Sequence, residues 1–391
     1  MSDYRTLNRS VWCKVESSSG TDAVPTAGSN GVLVENPNSN LQLNTFDTNE
    51  VTGSLDARAP IPSTGNAGFS GRVYLHGSGA AGTTLPEVDP FLKACGFSPT
   101  AFAAAVTGTA QAGASSTITL ASGASATNDF YRGTVIVTTG GTGSGQTRQI
   151  KSYVGSTKVA TVTPAWSVTP DNTTTYSIAA CHIYKQVSSS IPTVTIYEWL
   201  HRTDGGNSKL RAQVGCAGTF TLAVQSGQGC YFDFQMTGSL VQPTDPSVPS
   251  AATYQSTRPI AFVNTINCVL DGTSFALDNF SFDAGNEVQQ IGDPRADFGL
   301  GIAGITRRRA GGTFRAPMDL EATRDVFSGW ANGTEAVMSV VWGATAGNRF
   351  AVMSDHMVYS GVNDADVNGF LYAETPFRCN RENDSFMITF W

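Results

Sequence analysis

Apolar and polar residues alternate with a period of two in short runs such as Thr134-Val-Ile-Val-Thr138 and Lys158-Val-Ala-Thr-Val-Thr163. Bounded by Gly, Asn and Pro, such runs predict short antiparallel strands. Strand-like runs also span Val194 to Trp199 and Val337 to Trp342, and aromatic-rich closing strands are expected at Tyr231-Phe-Asp-Phe234 and Phe370-Leu-Tyr372. Helix signals are few. Pro86 to Gly96 opens on Pro and stops on Gly, and Leu320 to Asn332, ended by Gly333, is the second candidate.

These elements recur in the same order. Leu43-Asn-Thr-Phe46-Asp47-Thr-Asn49-Glu50-Val51 is echoed by Leu277-Asp-Asn-Phe-Ser-Phe282-Asp283-Ala-Gly-Asn286-Glu287-Val288. Gly68 to Arg72 matches Gly311 to Arg315, and Asp89-Pro-Phe91 with Gly96 matches Asp325-Val-Phe327 with Gly333. Val194 to Trp199 matches Val337 to Trp342, and Gly218 with Gly227 matches Gly361 with Gly369. Five matches in register argue for two copies of one domain.

The first copy carries an extra Thr-, Gly- and Ala-rich stretch that the second lacks. The chain therefore divides into a discontinuous first domain (1–106 and 181–243), an inserted small all-β domain (107–180), a linker (244–258) and a second domain (259–391). Exposed loops with close ends tolerate insertions best, so the insert is expected to face outward. Pro243 to Pro249 reads as a Pro-stiffened connector. The fold class is mainly β: two tandem barrel- or sandwich-like domains, each with one short helix, plus the insert.

Composition narrows the function. Of 391 residues only 14% are charged, Gly numbers 41, and the net charge is −7. An acidic chain is a poor phosphate grip, which argues against tight nucleic-acid binding. No apolar run approaches the ~20 residues of a membrane span, and the first residues lack the apolar core of a signal peptide. Synthesis in a cytoplasm is the expectation. Seven cysteines without CxxC spacing read as small buried hydrophobes, not as a disulfide framework or zinc site.

Isolated motifs carry little chemistry. Gly77-Ser-Gly79-Ala-Ala-Gly82 matches a dinucleotide fingerprint, but no βαβ unit follows, so a connector is preferred. Gly140 to Gly145 reads as a hairpin turn. Asp364-Ala-Asp366-Val-Asn368-Gly369 copies the start of a calcium loop, yet Thr375 stands where the bidentate acid belongs. A solvated polar hairpin is the preferred reading. The four histidines (His76, His182, His201, His356) have no companion nucleophile, so neither catalysis nor a cofactor is expected.

The FDxNEV-type strand, the long loop, the Gly-x-x-x-Arg strand and the short helix ending in Gly together resemble the tail tube proteins of long, non-contractile-tailed bacteriophages. The start Gly20-Thr-Asp-Ala-Val-Pro25-Thr with Gly31-Val-Leu-Val34, and Pro90-Phe-Leu-Lys-Ala-Cys-Gly96-Phe, extend the likeness. Within the insert, Phe130-Tyr-Arg-Gly-Thr-Val135, Gly145-Gln-Thr-Arg148 and Thr163-Pro-Ala-Trp166 resemble a β module of phage structural proteins.

The resemblance implies a virion protein, assembled in the bacterial cytoplasm, that polymerises as stacked rings into the conduit for DNA ejection. Two domains per chain imply three chains in a pseudo-six-fold ring, with a hexamer as the alternative. Partners would be other copies of the chain, a tape measure protein, tail-end proteins and passing double-stranded DNA that is not held tightly. The segments Thr52 to Ala67 and Gln289 to Ala310 would reach the adjacent ring, making Arg58, Arg307, Arg308 and Arg309 candidate inter-ring contacts. Candidate lumen acids are Asp47, Glu50, Asp283 and Glu287, which would repel phosphates. The competing readings are a secreted or surface β-rich adhesin or carbohydrate-binding protein, and a polysaccharide-degrading tail enzyme.

Overall fold

The computed structural model describes residues 3–48, 50–56 and 58–391. It is mainly β, with large antiparallel sheets and two α-helices, α1 (Asp89–Ala94) and α2 (Val326–Asn332). Among the described residues no helix is long and apolar enough to cross a membrane.

The duplication is visible as strand order. In the first copy Tyr4–Val15, Val194–Arg202, Lys209–Gln225, Tyr231–Leu240, Ile61–Tyr74 and Glu35–Phe46 pair in that sequence, each antiparallel to the next. In the second, Thr265–Leu270, Ala336–Thr345, Asn348–Tyr359, Phe370–Cys379, Gly311–Pro317 and Asn279–Asp283 follow the same order. Register agrees too: Arg72 lies opposite Asp233, and Arg315 opposite Glu374. Each helix follows the equivalent strand, Ile61–Tyr74 before α1 and Gly311–Pro317 before α2.

The helices are shorter than the sequence pattern predicts. Residues 320–325 form a turn, because the Asp325 carboxylate accepts the Ser328 N–H (2.8 Å) and so starts α2 one residue later. Gly333 closes it at φ 62°.

The two copies are not beads on a tether. Phe220, Phe232 and Phe234 share one core with Phe280, Phe282, Trp342 and Phe350, and Phe220 stands 6.2 Å from Phe282. Sheets join directly: Lys209–Gln225 pairs with Asn279–Asp283, and the C-terminal strand Met387–Phe390 pairs with Cys181–Gln186 of the first copy. The connector is pinned as well. Thr244 exchanges backbone bonds with Leu210, and the Thr253 N–H donates to the Ala27 carbonyl (2.8 Å). Instead of a spacer, it is a strap over the first copy. Gly77, in the glycine-rich connector, lies so close to the second copy that a Cβ would come 2.2 Å from the Gly347 carbonyl oxygen.

Strands between Val106 and Ile178 form a separate seven-stranded sheet that pairs only with itself. Its inner face is not free. Ile136, Ile150 and Tyr176 share a core with Val341, Ala351, Met353, Met387 and Trp391 of the second copy. Arg132 anchors the seam, almost fully buried between Asp355 (2.6 Å) and Asp384. The expected outward-facing domain is therefore docked on the second copy, leaving only its other surfaces for solvent.

Candidate functional site

In each copy a hairpin that carries part of the FDxNEV-type motif continues past the sheet as an arm. The first arm is the outer part of Glu35–Phe46 and Ile61–Tyr74; the second is the pair Asn286–Gly292 and Leu300–Arg308. Taking Gly68 and Gly311 as equivalent, Gly68 faces Asn40 whereas Gly311 faces Asp283. The motif acids are thus not structural equivalents: Asp47 and Glu50 lie in the loop at the first arm's tip, Asp283 and Glu287 at the base of the second.

The predicted residues are only partly brought together. Glu50 pairs with Arg58, both exposed in the tip loop. Asp283 accepts the Gly285 N–H (2.8 Å), and Glu287 lies opposite Arg307 across the second arm, both exposed. Arg309 is exposed, and its N–H donates to the Gly285 carbonyl. Arg308 turns inward. Its guanidinium donates to Asn286 Oδ1 (3.1 Å) and to the carbonyl oxygen of Val187 (3.1 Å), with a longer contact to Gly96 (3.4 Å), and burial lowers its pKa. It holds the second arm to the end of α1 within one chain. Asn286, which the sequence reading passed over, donates to the carbonyls of Cys95 and Gly218 (2.9 Å each).

The most informative feature is the join between copies. Lys209–Gln225 carries Asn279–Asp283 on the edge of its last residues, Thr221 opposite Asp283 and Gln225 opposite Asn279. Asp233 and Glu374, which face Arg72 and Arg315, set the equivalence; their partners on the next strand are Thr221 and Asn363, so Thr221 corresponds to Asn363 at the start of Asn363–Val367. Among the described residues that strand pairs only with Phe370–Cys379, and Glu35–Phe46 only with Ile61–Tyr74. Both halves of the in-chain join thus have a counterpart whose edge is open. Asp364-to-Gly369 forms a hairpin turning on Asn368 and Gly369 (φ 55° and 83°), with Asp366 Oδ1 accepting the Gly369 N–H at 3.1 Å. A two-residue turn closes on a hydrogen-bonded pair, so Asp364 and Asp366 direct their backbone groups to the open side.

Exposed apolar residues gather on the same parts. Leu43, Phe46, Val51, Leu55 and Ile61 mark the first arm, and Phe327, Trp330, Phe370 and Leu371 mark α2 and the hairpin.

Buried polar groups elsewhere hold the fold. Glu16 accepts from Gly20, Thr193, Thr195 and Gly215 within 2.6–2.8 Å, and His76 bridges Glu87 (2.8 Å) and Thr257 (3.2 Å). Burial pushes the Cys181 and Cys230 thiols up to about 12, leaving them protonated and unreactive at neutral pH. No protein-family model matches the sequence, and no curated protein is detectably similar to it.

Proposed function

We propose that the chain is a structural virion protein that polymerises through strand edges into stacked rings of a phage tail tube, the conduit for DNA ejection. The observation that carries this reading is the in-chain join, whose two counterparts, Asn363–Val367 and Glu35–Phe46, are both open. An open strand edge is a template for another chain, and a head-to-tail contact repeated by rotation closes a ring. In the repeat of this join, Asn363–Val367 of one chain lies antiparallel to Glu35–Phe46 of the next, Asn363 opposite Asn40 and Asp364 opposite Ser39. Six copies in a ring need three chains. The same reading gives the chain its tape measure and tail-end partners, its place in the virion tail, and a weak, sliding relation to DNA that suits its negative charge. Arg58, Arg307 and Arg309 are then available for contacts between rings.

Light scattering and negative-stain electron microscopy of purified protein test this. Hollow rings with the mass of three chains are the expected result, and six chains would replace the trimer with the hexamer. Asp364→Pro removes one outward N–H without touching a bond to Phe370–Cys379, so the variant should fold and yet need at least about tenfold more protein to assemble. Normal rings from this variant would sink the strand-edge reading. A wild-type monomer at every concentration would turn attention to the adhesin or glycan-binding alternative.

A further inference from the structure

The in-chain join has a second contact beside the paired strands, and its counterpart differs in chemistry. Asn286 and Arg308 face each other across the base of the second arm and together hold the C-terminal end of α1 through the carbonyls of Cys95 and Gly96. Counting three residues outward from Asn40 and Gly68, as Asn286 and Arg308 lie from Asp283 and Gly311, gives Leu43 and Gly65. These two do face each other in the first arm. A polar pair in one arm is therefore a leucine over a glycine in the other. The Leu43 side chain lies over Gly65, which has no side chain of its own to compete for that face.

The helices differ in the matching way. At the end of α1 the arm meets backbone carbonyls, whereas the last turn of α2 presents Trp330, 43% exposed, with Phe327 beside it at 58% and a ring separation of 5.9 Å. Leu43 is itself 54% exposed, and Phe46 and Ile61, opposite each other three residues beyond Leu43 along the arm, are 51% and 43% exposed. Within the chain polar meets polar; at the open counterparts apolar is left to meet apolar. Two apolar surfaces this exposed on one molecule gain by covering one another.

We infer that Leu43 of one chain, with Phe46 and Ile61 behind it, packs on Trp330 and Phe327 of α2 in the next copy of the chain. This rests on the self-assembly reading above and names a contact that the strand pairing alone does not require. The occupant is a second copy, because repeating the in-chain join brings the first arm to that helix. The contact is head-to-tail, so Leu43 meets Trp330 and neither meets itself.

Single variants Leu43→Cys and Trp330→Cys, each checked for wild-type thermal unfolding, are oxidised alone and mixed one to one. Six of the seven native cysteines are buried, which keeps the background low. A cross-linked dimer should form in the mixture at least tenfold faster than in either variant alone, and tenfold faster than in a mixture with Val168→Cys, an exposed position on the separate sheet. Assembly with cross-linking no faster than that control would overturn the inference and leave the self-assembly reading standing. Fast cross-linking of Trp330→Cys with itself would overturn it in favour of a two-fold helix contact. A wild-type chain that never associates would remove both.

Discussion

Helix α1 and helix α2 occupy the same place in two copies with the same strand order, yet they are built for different surroundings. In α1, Phe91 and Leu92 are fully buried, with Phe91 stacked between Phe69 (5.8 Å) and Phe234 (5.0 Å). In α2 only Val326 is buried, and the aromatic side chains face outward. Two causes can be named. The first copy covers its helix with Tyr4–Val15 and with Phe97–Phe102, and the second has no counterpart of the latter strand. Moreover, α2 holds seven residues to α1's six between equivalent ends, and one added residue turns an apolar position by about 100°. The two copies share the sheet order, which register specifies, and differ in the helix, whose facing is easily changed.

That contrast breaks most visibly at the paired phenylalanines. Phe91→Ala should cost about 3–5 kcal/mol, since it empties a closed aromatic stack. Phe327→Ala, at an exposed position, should cost less than about 1 kcal/mol in the unassembled chain. Urea unfolding of both variants measures the gap; equal losses would mean that α2 is covered within its own chain.

The copies also differ in what is docked on them, and Arg132 probes that. Its guanidinium, 3% exposed, pairs with Asp355 and Asp384; Arg132→Ala deprives Asp355 of its arginine and leaves Asp384 only the more exposed Arg381 (3.2 Å), and should cost about 3 kcal/mol. Limited proteolysis should then cut between 106 and 178 before the rest of the chain. An unchanged cleavage pattern would show that the apolar seam alone holds this sheet. A smaller effect is expected at the helix starts. Asp325 caps α2 whereas Val88, at the same place before α1, makes no side-chain bond. Asp325→Ala should lose about 1 kcal/mol, whereas Val88, 3% exposed in the core, fixes the start of α1 by packing and leaves no room for a capping acid. Chemical denaturation showing Asp325→Ala as stable as wild type would show that α2 does not depend on its cap.

Much of this was legible in the chain. The echo of Gly96 in Gly333 marked the helix ends, because the left-handed backbone there (φ 78° and 62°) restricts what can stand, whereas Gly218 falls inside Lys209–Gln225 and Gly361 between two strands. The FDxNEV likeness misled about register: strand pairing is set by pleat and neighbours, and it places Asn40, not Asp47, where Asp283 lies. The docking of the 106–178 sheet left a trace that alternation alone does not read. Val340, Val341 and Trp342 are all buried, with Val340 and Trp342 in the shared core and Val341 under the separate sheet. An unbroken apolar run signals a strand covered on both faces. The open edges and the apolar arm were not legible, since exposure depends on which neighbours are missing.

The finest test of the shared seam is titration of His182. It lies in Cys181–Gln186 between Ala101 of the first copy and Phe390 of the second, and it is 3% exposed. Burial lowers its pKa, opposed by Asp89 and reinforced by Lys93. Its folded pKa is thus below that of the unfolded chain, near 6.5. As pH falls through about 6.5 the unfolded chain takes up a proton that the folded chain refuses, so stability is lost until the folded pKa is reached and the loss levels off. His201 shifts the same way for the same reason, in the outer part of the first copy, so each histidine carries only part of the slope. His182→Gln should therefore flatten the fall in unfolding free energy between about pH 7.5 and 5 relative to wild type. Parallel curves for variant and wild type would mean that His182 is hydrated in the fold, and that the seam between the copies opens to water where the strands of both meet.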